Sequence, residues 1–174
     1  MLKIGLISDT HHYLDPRVPE YFDGVDEVWH AGDFGSIAIA DDLKKLAPLK
    51  GVYGNIDGSD IRSEFPLHQR FQKEGVDVWM THIGGNPGRY ALPIKGSLEE
   101  HPPGLFICGH THILKIARDP DKNNMIYMNP GAAGRHGFHE YRTIVRFGLS
   151  NGKVKDVEVI NLGKRSEVSF ATAK

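Results

Sequence analysis

Short apolar runs alternate along this chain with glycine, proline and polar turn residues, a rhythm of strands and short helices. Residues 2–7 and 25–29 read as buried strands. Residues 37–46 carry apolar side chains at helical spacing, with Ser36 placed to cap the helix and Pro48 to stop it. Residues 49–53, 76–81 and 105–108 read as further strands. Between the last two lies a stretch, 83–103, rich in Gly and Pro, with a short helix expected near its end. From Ile113 onward the pattern changes to hairpins. Residues 113–118 turn through 119–124 into 125–129, and residues 141–149 turn at Asn151-Gly152 into 154–160. The first half is therefore α/β and the second mostly antiparallel β. The whole chain, 1–174, reads as a single domain, and the polar stretch 165–174 is expected to fray.

The residues that end the apolar runs change this picture. The first run ends in Ser8-Asp9-Thr10-His11, the second in His30-Ala31-Gly32-Asp33, the third in Gly54-Asn55, the fourth in Thr81-His82 and the fifth in Gly109-His110-Thr111-His112. Each strand thus finishes in side chains able to bind a metal. In open α/β sheets ligands bind beyond the carboxyl ends of the strands, so neighbouring parallel strands would bring these ends to one place. Taken singly, each piece is ordinary: an Asp after a strand is usually a turn residue, and a lone His is usually solvated or satisfied in the core. The ordered set points to a site. Its donors are carboxylate, imidazole and one amide oxygen, without thiolate, which suits manganese, iron, zinc, nickel or cobalt. They are too many for one tetrahedral zinc and fit two ions sharing a carboxylate.

Bulk properties narrow the setting. A chain of 174 residues is long enough for one domain with its own core. The net charge of −1 gives no bulk attraction to nucleic acid or anionic membrane. Cys108 is the only cysteine, so no internal disulfide forms, which fits a reducing compartment. The N-terminal apolar run is too short for a signal peptide, and no stretch is long enough to span a bilayer. A cytoplasmic protein is expected.

The motifs Asp9-x-His11, Gly32-Asp33, Gly54-Asn55, His82 and Gly109-His110-x-His112 resemble those of the calcineurin-like metallophosphoesterases. The compact size and the segments Gly54-Asn55-Ile56-Asp57 and Asn129-Pro130-Gly131 resemble the small YfcE-type phosphodiesterase branch. The resemblance covers nearly the whole chain up to about Ile160. It implies a four-layer αββα sandwich of two mixed β-sheets flanked by helices, with a dinuclear site at one edge. It also implies that Asp9, His11, Asp33 and His112 hold one metal, that Asp33, Asn55, His82 and His110 hold the other, and that Asp33 bridges. Many members carry a histidine directly after the Gly-Asn asparagine, as a proton donor to the leaving group, and here that position is Ile56. In this branch His82 is often followed by Gly-His, replaced here by Ile83-Gly84-Gly85. The arginine that follows the Gly-Asp motif in protein phosphatases is missing from Gly32-Asp33-Phe34-Gly35-Ser36, which argues against phosphoprotein as substrate.

The expected activity is metal-dependent hydrolysis of a small phosphate ester, a diester first, by a hydroxide bridging two divalent cations. Asp33, Asn55 and His82 are its catalytic centre. Manganese is the first candidate ion, with nickel, zinc, iron(II) or magnesium as alternatives. His12, Asn86, Arg89, Arg135 and His136 are candidate substrate contacts, with His139 beside the last two. Asp57 is placed to orient Asn55 or a histidine, and His30 to pack beneath the Gly32-Asp33 turn. Nucleic acid and membrane are not indicated as partners, and a homo-oligomer remains compatible with the chain. Two other readings compete: a protein-interaction scaffold of the same fold, as in a retromer subunit with an altered metal site, and a nuclease-like activity.

Overall fold

The computed structural model describes residues 1–168. In chain order its elements are β1 (Leu2–Ile7), α1 (Val18–Tyr21), β2 (Glu27–His30), α2 (Ile37–Lys44), β3 (Leu49–Gly51), α3 (Ser59–Glu64), β4 (His68–Lys73), β5 (Val76–Thr81), β6 (Gly85–Asn86), β7 (Arg89–Tyr90), α4 (Leu92–Glu100), β8 (Leu105–Ile107), β9 (Leu114–Asp119), β10 (Met125–Pro130), β11 (Tyr141–Ser150) and β12 (Lys153–Lys164). Two five-stranded sheets form, ordered β12-β11-β1-β2-β3 and β4-β5-β8-β10-β9. Both are mixed: β1, β2 and β3 run parallel in the first, β5, β8 and β10 in the second, and antiparallel strands flank each set.

The alternation of side chains along each strand sorts the core into three apolar layers. Ile4, Leu6, Trp29, Val145, Phe147 and Leu149 of the first sheet meet Val76, Val78, Met80, Leu105, Ile107 and Met128 of the second. Their neighbours in sequence point outward. Ile7, Val28 and Ile144 pack against Val18, Ile39, Leu43 and Ile61 from the helical face of the first sheet. Trp79, Phe106 and Tyr127 pack against Ile94 and Leu98 of α4. Helix, sheet, sheet and helix make the four layers of an αββα sandwich. Trp29, Trp79 and Cys108 all lie in these layers, and burial pushes the Cys108 thiol up to about 12.

The two sheets divide the strands as the sandwich implied by the resemblance requires. The five strands that carry the candidate ligands are not neighbours in one sheet; β1, β2 and β3 share one sheet, while β5 and β8 share the other. The antiparallel second half is shared between the two sheets. Strands β9 and β10 complete the second sheet, and β11 and β12 extend the first through β1. At the start of the stretch expected to fray, Arg165–Glu167 form a 3-10 turn, and the Arg165 side chain donates to the His139 carbonyl at 2.9 Å. Residues 169–174 of the expected tail lie outside the described residues.

Elements not foreseen are the short or polar ones. The edge strand β4 has one large apolar residue, Phe71, and hairpins to β5 through Glu74-Gly75, both at positive φ. Helix α2 begins after Ser36 as expected, but the hydroxyl makes no capping bond and the helix stops at Lys44. Asn151-Gly152 makes the expected tight turn, with φ of 51° and 73°.

Candidate metal centre

Two sheets in face-to-face contact place the ends of β1, β2, β3, β5 and β8 at one edge of the sandwich. Backbone hydrogen bonds then zip the loops together. The Asp9, His11 and His12 amides donate to the carbonyls of Gly32, Asp33 and Phe34 at 3.0–3.1 Å. The Ala133 and Gly134 amides donate to Ser8 and Asp9 from the opposite side, and the Gly109 amide donates to the His82 carbonyl. To turn this tightly, Asp9, His11, His12, Asp33, His110 and His112 all adopt positive φ, between 44° and 69°. Left-handed backbone is costly for residues with a Cβ and persists where surrounding contacts enforce it, commonly at functional sites.

The side chains converge on two groups of donor atoms: Asp9, His11 and His112, and Asp33, His82 and His110, each able to hold a cation. Nε2 of His112 lies 3.2 Å from Oδ1 of Asp9. Oδ2 of Asp33 lies 3.3 Å from Nε2 of His11 and 3.1 Å from Nε2 of His82, so one carboxylate oxygen faces both groups. Asn55 joins the second, with Oδ1 at 3.0 Å from Nδ1 of His110.

The donor set fits metal better than it fits itself. Oδ1 of Asp9, Nε2 of His11 and Nε2 of His82 are buried yet make no hydrogen bond. Each lies near another donor atom of the site, but the pairs are poorly aligned for a proton between them. Buried polar atoms without partners cost stability, and aiming several at one point is what a bound cation requires. The remaining valences are satisfied. Oδ2 of Asp9 accepts from the Ser8 hydroxyl at 2.6 Å and the His110 amide at 3.2 Å. Oδ1 of Asp33 accepts from the Ile56 amide at 3.1 Å.

The electrostatics agree. Burial alone would lower the pKa of His11, but Asp33 and Asp9 outweigh it and raise it to about 9. His82 is likewise raised against its burial by the same two carboxylates. Burial would raise Asp9 and Asp33, yet the neighbouring histidines hold both well below the usual carboxylate range. Two buried carboxylates thus demand positive charge, which protons on histidine or metal ions can supply.

Residues around this centre fix its loops. Asp57 accepts through Oδ2 from the Gly54 amide at 2.8 Å and the Phe34 amide at 3.2 Å, and through Oδ1 from the Gly35 amide at 2.9 Å. It therefore staples the Asp33 loop to the Asn55 loop through backbone, without turning Asn55 or a histidine directly. His30 packs beneath the turn as expected. Its Nδ1 accepts from the Gly32 amide at 3.0 Å, Nε2 lies 3.0 Å from the Thr10 hydroxyl, and its ring stacks on Phe34. Asn129 does the same for the His110 loop, donating to the Gly109 carbonyl and accepting from the Gly131 amide. Asn129 entered the sequence reading only as part of the Asn129-Pro130-Gly131 segment, and Ser8 carried no role there, because polar residues at strand ends look like turn formers. Gly32, at φ 102°, lies under the His82 ring, and Gly54 lies against the Asp33 carboxylate; a Cβ at either would collide with the site.

The candidate substrate contacts separate. A groove of about 480 Å³ opens over the centre, lined by His11, Asp33, Asn55, His110, His112 and His136, with Ile56, Ile113 and Phe138 at its mouth. His136 stacks on His11 at 5.0 Å between centroids, and His139 meets the His112 ring at 5.2 Å. Arg135 lies over Tyr13 and is not among the groove's lining residues. His12 is exposed, with its ring beside Gly35. Asn86 and Arg89 pair in the β6-β7 hairpin, and Arg89 lines a different cleft with Lys95 and Asp121. Neither Asn86 nor Arg89 is among the residues that line the groove over the centre.

Residues 2–152 match the calcineurin-like phosphoesterase superfamily domain, and the chain belongs to that family. A probable metallophosphoesterase of Methanothermobacter thermautotrophicus is 32% identical over 136 residues, spanning 75% of this chain and 77% of that protein. A phosphodiesterase of Methanocaldococcus jannaschii is 30% identical over 146 residues, spanning 75% of this chain and 83% of that one. Among solved structures, Vps29 of Chaetomium thermophilum superposes with a TM-score of 0.71 over 95% of this chain and all of its own, at 15% identity, a likeness of fold alone.

Proposed function

We propose that this protein is a metal-dependent phosphodiesterase that works with two divalent cations, one held by Asp9, His11, Asp33 and His112 and the other by Asp33, Asn55, His82 and His110. The observation that carries the proposal is the position of Asp33 Oδ2, within 3.3 Å of one donor group and 3.1 Å of the other, beside buried donor atoms that have no hydrogen-bond partner. When bound, such a pair of cations supplies charge to the phosphate and acidifies a water shared between them.

The chain's own residues do the rest. Asp33 sets the separation of the two donor groups, and the Ile56 amide holds its other oxygen in place. Asn55 contributes a neutral oxygen, which limits negative charge where an anionic substrate must approach. His82 is locked by a hydrogen bond from Nδ1 to the Ala31 carbonyl at 2.7 Å, which leaves Nε2 as the donor facing the centre. Ile56 cannot donate a proton, so ester bonds with acidic leaving groups are favoured. A diester rather than a monoester is supported by the name of the Methanocaldococcus relative and by the two clefts that meet at Asn55, one for each arm.

The test uses chelated protein reloaded with manganese, nickel, zinc or magnesium. Metal content is counted, and hydrolysis of bis(p-nitrophenyl) phosphate is compared with p-nitrophenyl phosphate. Two ions per chain with preferential diester turnover are expected. Full loading with no turnover on either substrate would favour a non-catalytic scaffold, and turnover confined to DNA or RNA ends would favour a nuclease.

A further inference from the structure

A second cleft, about 310 Å³ in volume, lies on the far side of Asn55 from the main groove. His82 and Asn55, both in the candidate centre, form one wall. Tyr53, Leu67, Ile83, Pro93 and Ile94 make up half of the other lining residues. Leu67 and Ile83 are 47% and 44% exposed. Apolar side chains left open in a concave site beside a reactive centre mark a place where a ligand completes the packing.

Two polar contacts already lie within this cleft. The Arg62 side chain donates through Nε to the Asp57 carbonyl at 2.6 Å and lies over the Tyr53 ring at 4.6 Å. Nδ1 of His68 lies 2.8 Å from the Thr81 hydroxyl, and burial lowers the His68 pKa. An apolar group packed against Leu67, Ile83 and Ile94 leaves both of these contacts in place.

We propose that the Leu67–Ile83–Ile94 cleft is a specificity subsite for an apolar, aryl-sized arm of a phosphodiester whose phosphate lies at the candidate metal centre. The inference rests on the phosphodiesterase reading for the placement of the phosphate. The cleft shares His82 and Asn55 with that centre, so an ester oxygen on the phosphate is within one substituent's reach of the apolar wall. The large groove on the other side takes the second arm. Substrates with one bulky apolar ester are therefore bound better than those with two small ones.

The experiment measures binding separately from turnover. Calorimetry on zinc-loaded protein compares dimethyl phosphate with methyl 2-naphthyl phosphate, for wild type, Leu67→Ser and Leu67→Met. Because burying an aryl group of this size is worth a few kcal/mol at most, the naphthyl ester should bind wild type about tenfold to a hundredfold more tightly. Leu67→Ser should remove most of that preference and leave dimethyl phosphate unchanged, while Leu67→Met should retain it. Methyl resonances of Leu67, Ile83 and Ile94 should shift with the naphthyl ester. Equal affinity for the two esters, or a loss in Leu67→Ser that is the same for both, overturns the subsite. Shifts and selective binding in a protein that hydrolyses no ester would uphold the subsite and remove the phosphodiesterase reading.

Discussion

Nδ1 of His82, at the end of β5 in the second sheet, donates to the carbonyl oxygen of Ala31, at the end of β2 in the first, across 2.7 Å. A carbonyl can only accept, so this bond fixes which ring nitrogen carries the proton and turns the other toward Asp33. Nitrogen-15 spectra of the cadmium-loaded protein should show Nδ1 of His82 protonated and Nε2 coupled to the metal. Coupling through Nδ1 instead would break the assignment of this residue.

Asp57 touches no candidate substrate position, yet it receives three amides from the two loops that carry Asp33 and Asn55. Asp57→Asn keeps one acceptor but sets an amide donor against backbone donors. Outer-shell substitutions of this kind typically cost about 10- to 100-fold in metal affinity, and that loss is expected here in competition titrations with a chelating dye. Unchanged affinity for both ions would mean the loops hold their shape without this staple.

His30 is fully buried between Thr10, Gly32 and Phe34, and burial pushes its pKa down to about 3 from an ordinary 6.5. The folded state therefore keeps it neutral while the unfolded chain takes up a proton below about pH 6.5. Its contribution is fully present above that pH and is lost as pH falls toward 3, at on the order of 1 kcal/mol per pH unit. Urea unfolding of metal-free protein between pH 7 and 4.5 should show a shallower pH slope for His30→Asn than for wild type. Identical slopes would show that His30 is not the titrating group.

Arg142 is buried beside Asp15, with Nη1 at 2.6 Å from the carboxylate and Nη2 at 2.6 Å from the Leu162 carbonyl. The pair ties the loop after β1 to β11 and β12, and burial is outweighed by Arg17 and Arg142, which hold Asp15 well below the usual carboxylate range. Removing one partner of a buried pair strands the other, so Arg142→Met should destabilise the protein by about 3 kcal/mol, the low end of the usual range because Arg17 still pairs with Asp15. A chemical melt reads it directly, and a loss below about 1 kcal/mol would place the pair with ordinary surface bridges.

Ile56 lies at the mouth of the groove, 42% exposed, with its amide on the Asp33 carboxylate. A histidine there would stand close to a departing ester oxygen. General acid assistance is worth about a hundredfold to ten-thousandfold in good geometry, and the lower end is expected for Ile56→His on alkyl esters, with little gain on aryl diesters. A leaving-group series at fixed manganese should show the steeper dependence in wild type. Equal slopes at full metal occupancy would detach this position from proton donation.

Much of this centre was legible before any fold was known, for a physical reason. Ligand residues that follow strands are local features: an apolar run, a glycine or turn residue, then Asp, Asn or His, as in Gly32-Asp33, Gly54-Asn55 and Gly109-His110. The strand rhythm, the Asn151-Gly152 hairpin and the helix after Ser36 are local in the same sense. The partition of strands between sheets depends on contacts between residues far apart in sequence, so only the tertiary structure could put β5 and β8 opposite β1, β2 and β3. The same holds for strand β4, whose sequence has little apolar signal and whose place is set by its partner β5. The strained backbone at Asp9, Asp33 and His112, the staple made by Asp57, and the placing of Arg89 in another cleft follow from how loops from different strands meet. Residue types supply the metal donors, but which of their atoms remain unpaired and face one another is decided by packing, because that alone excludes water and fixes the hydrogen bonds behind them.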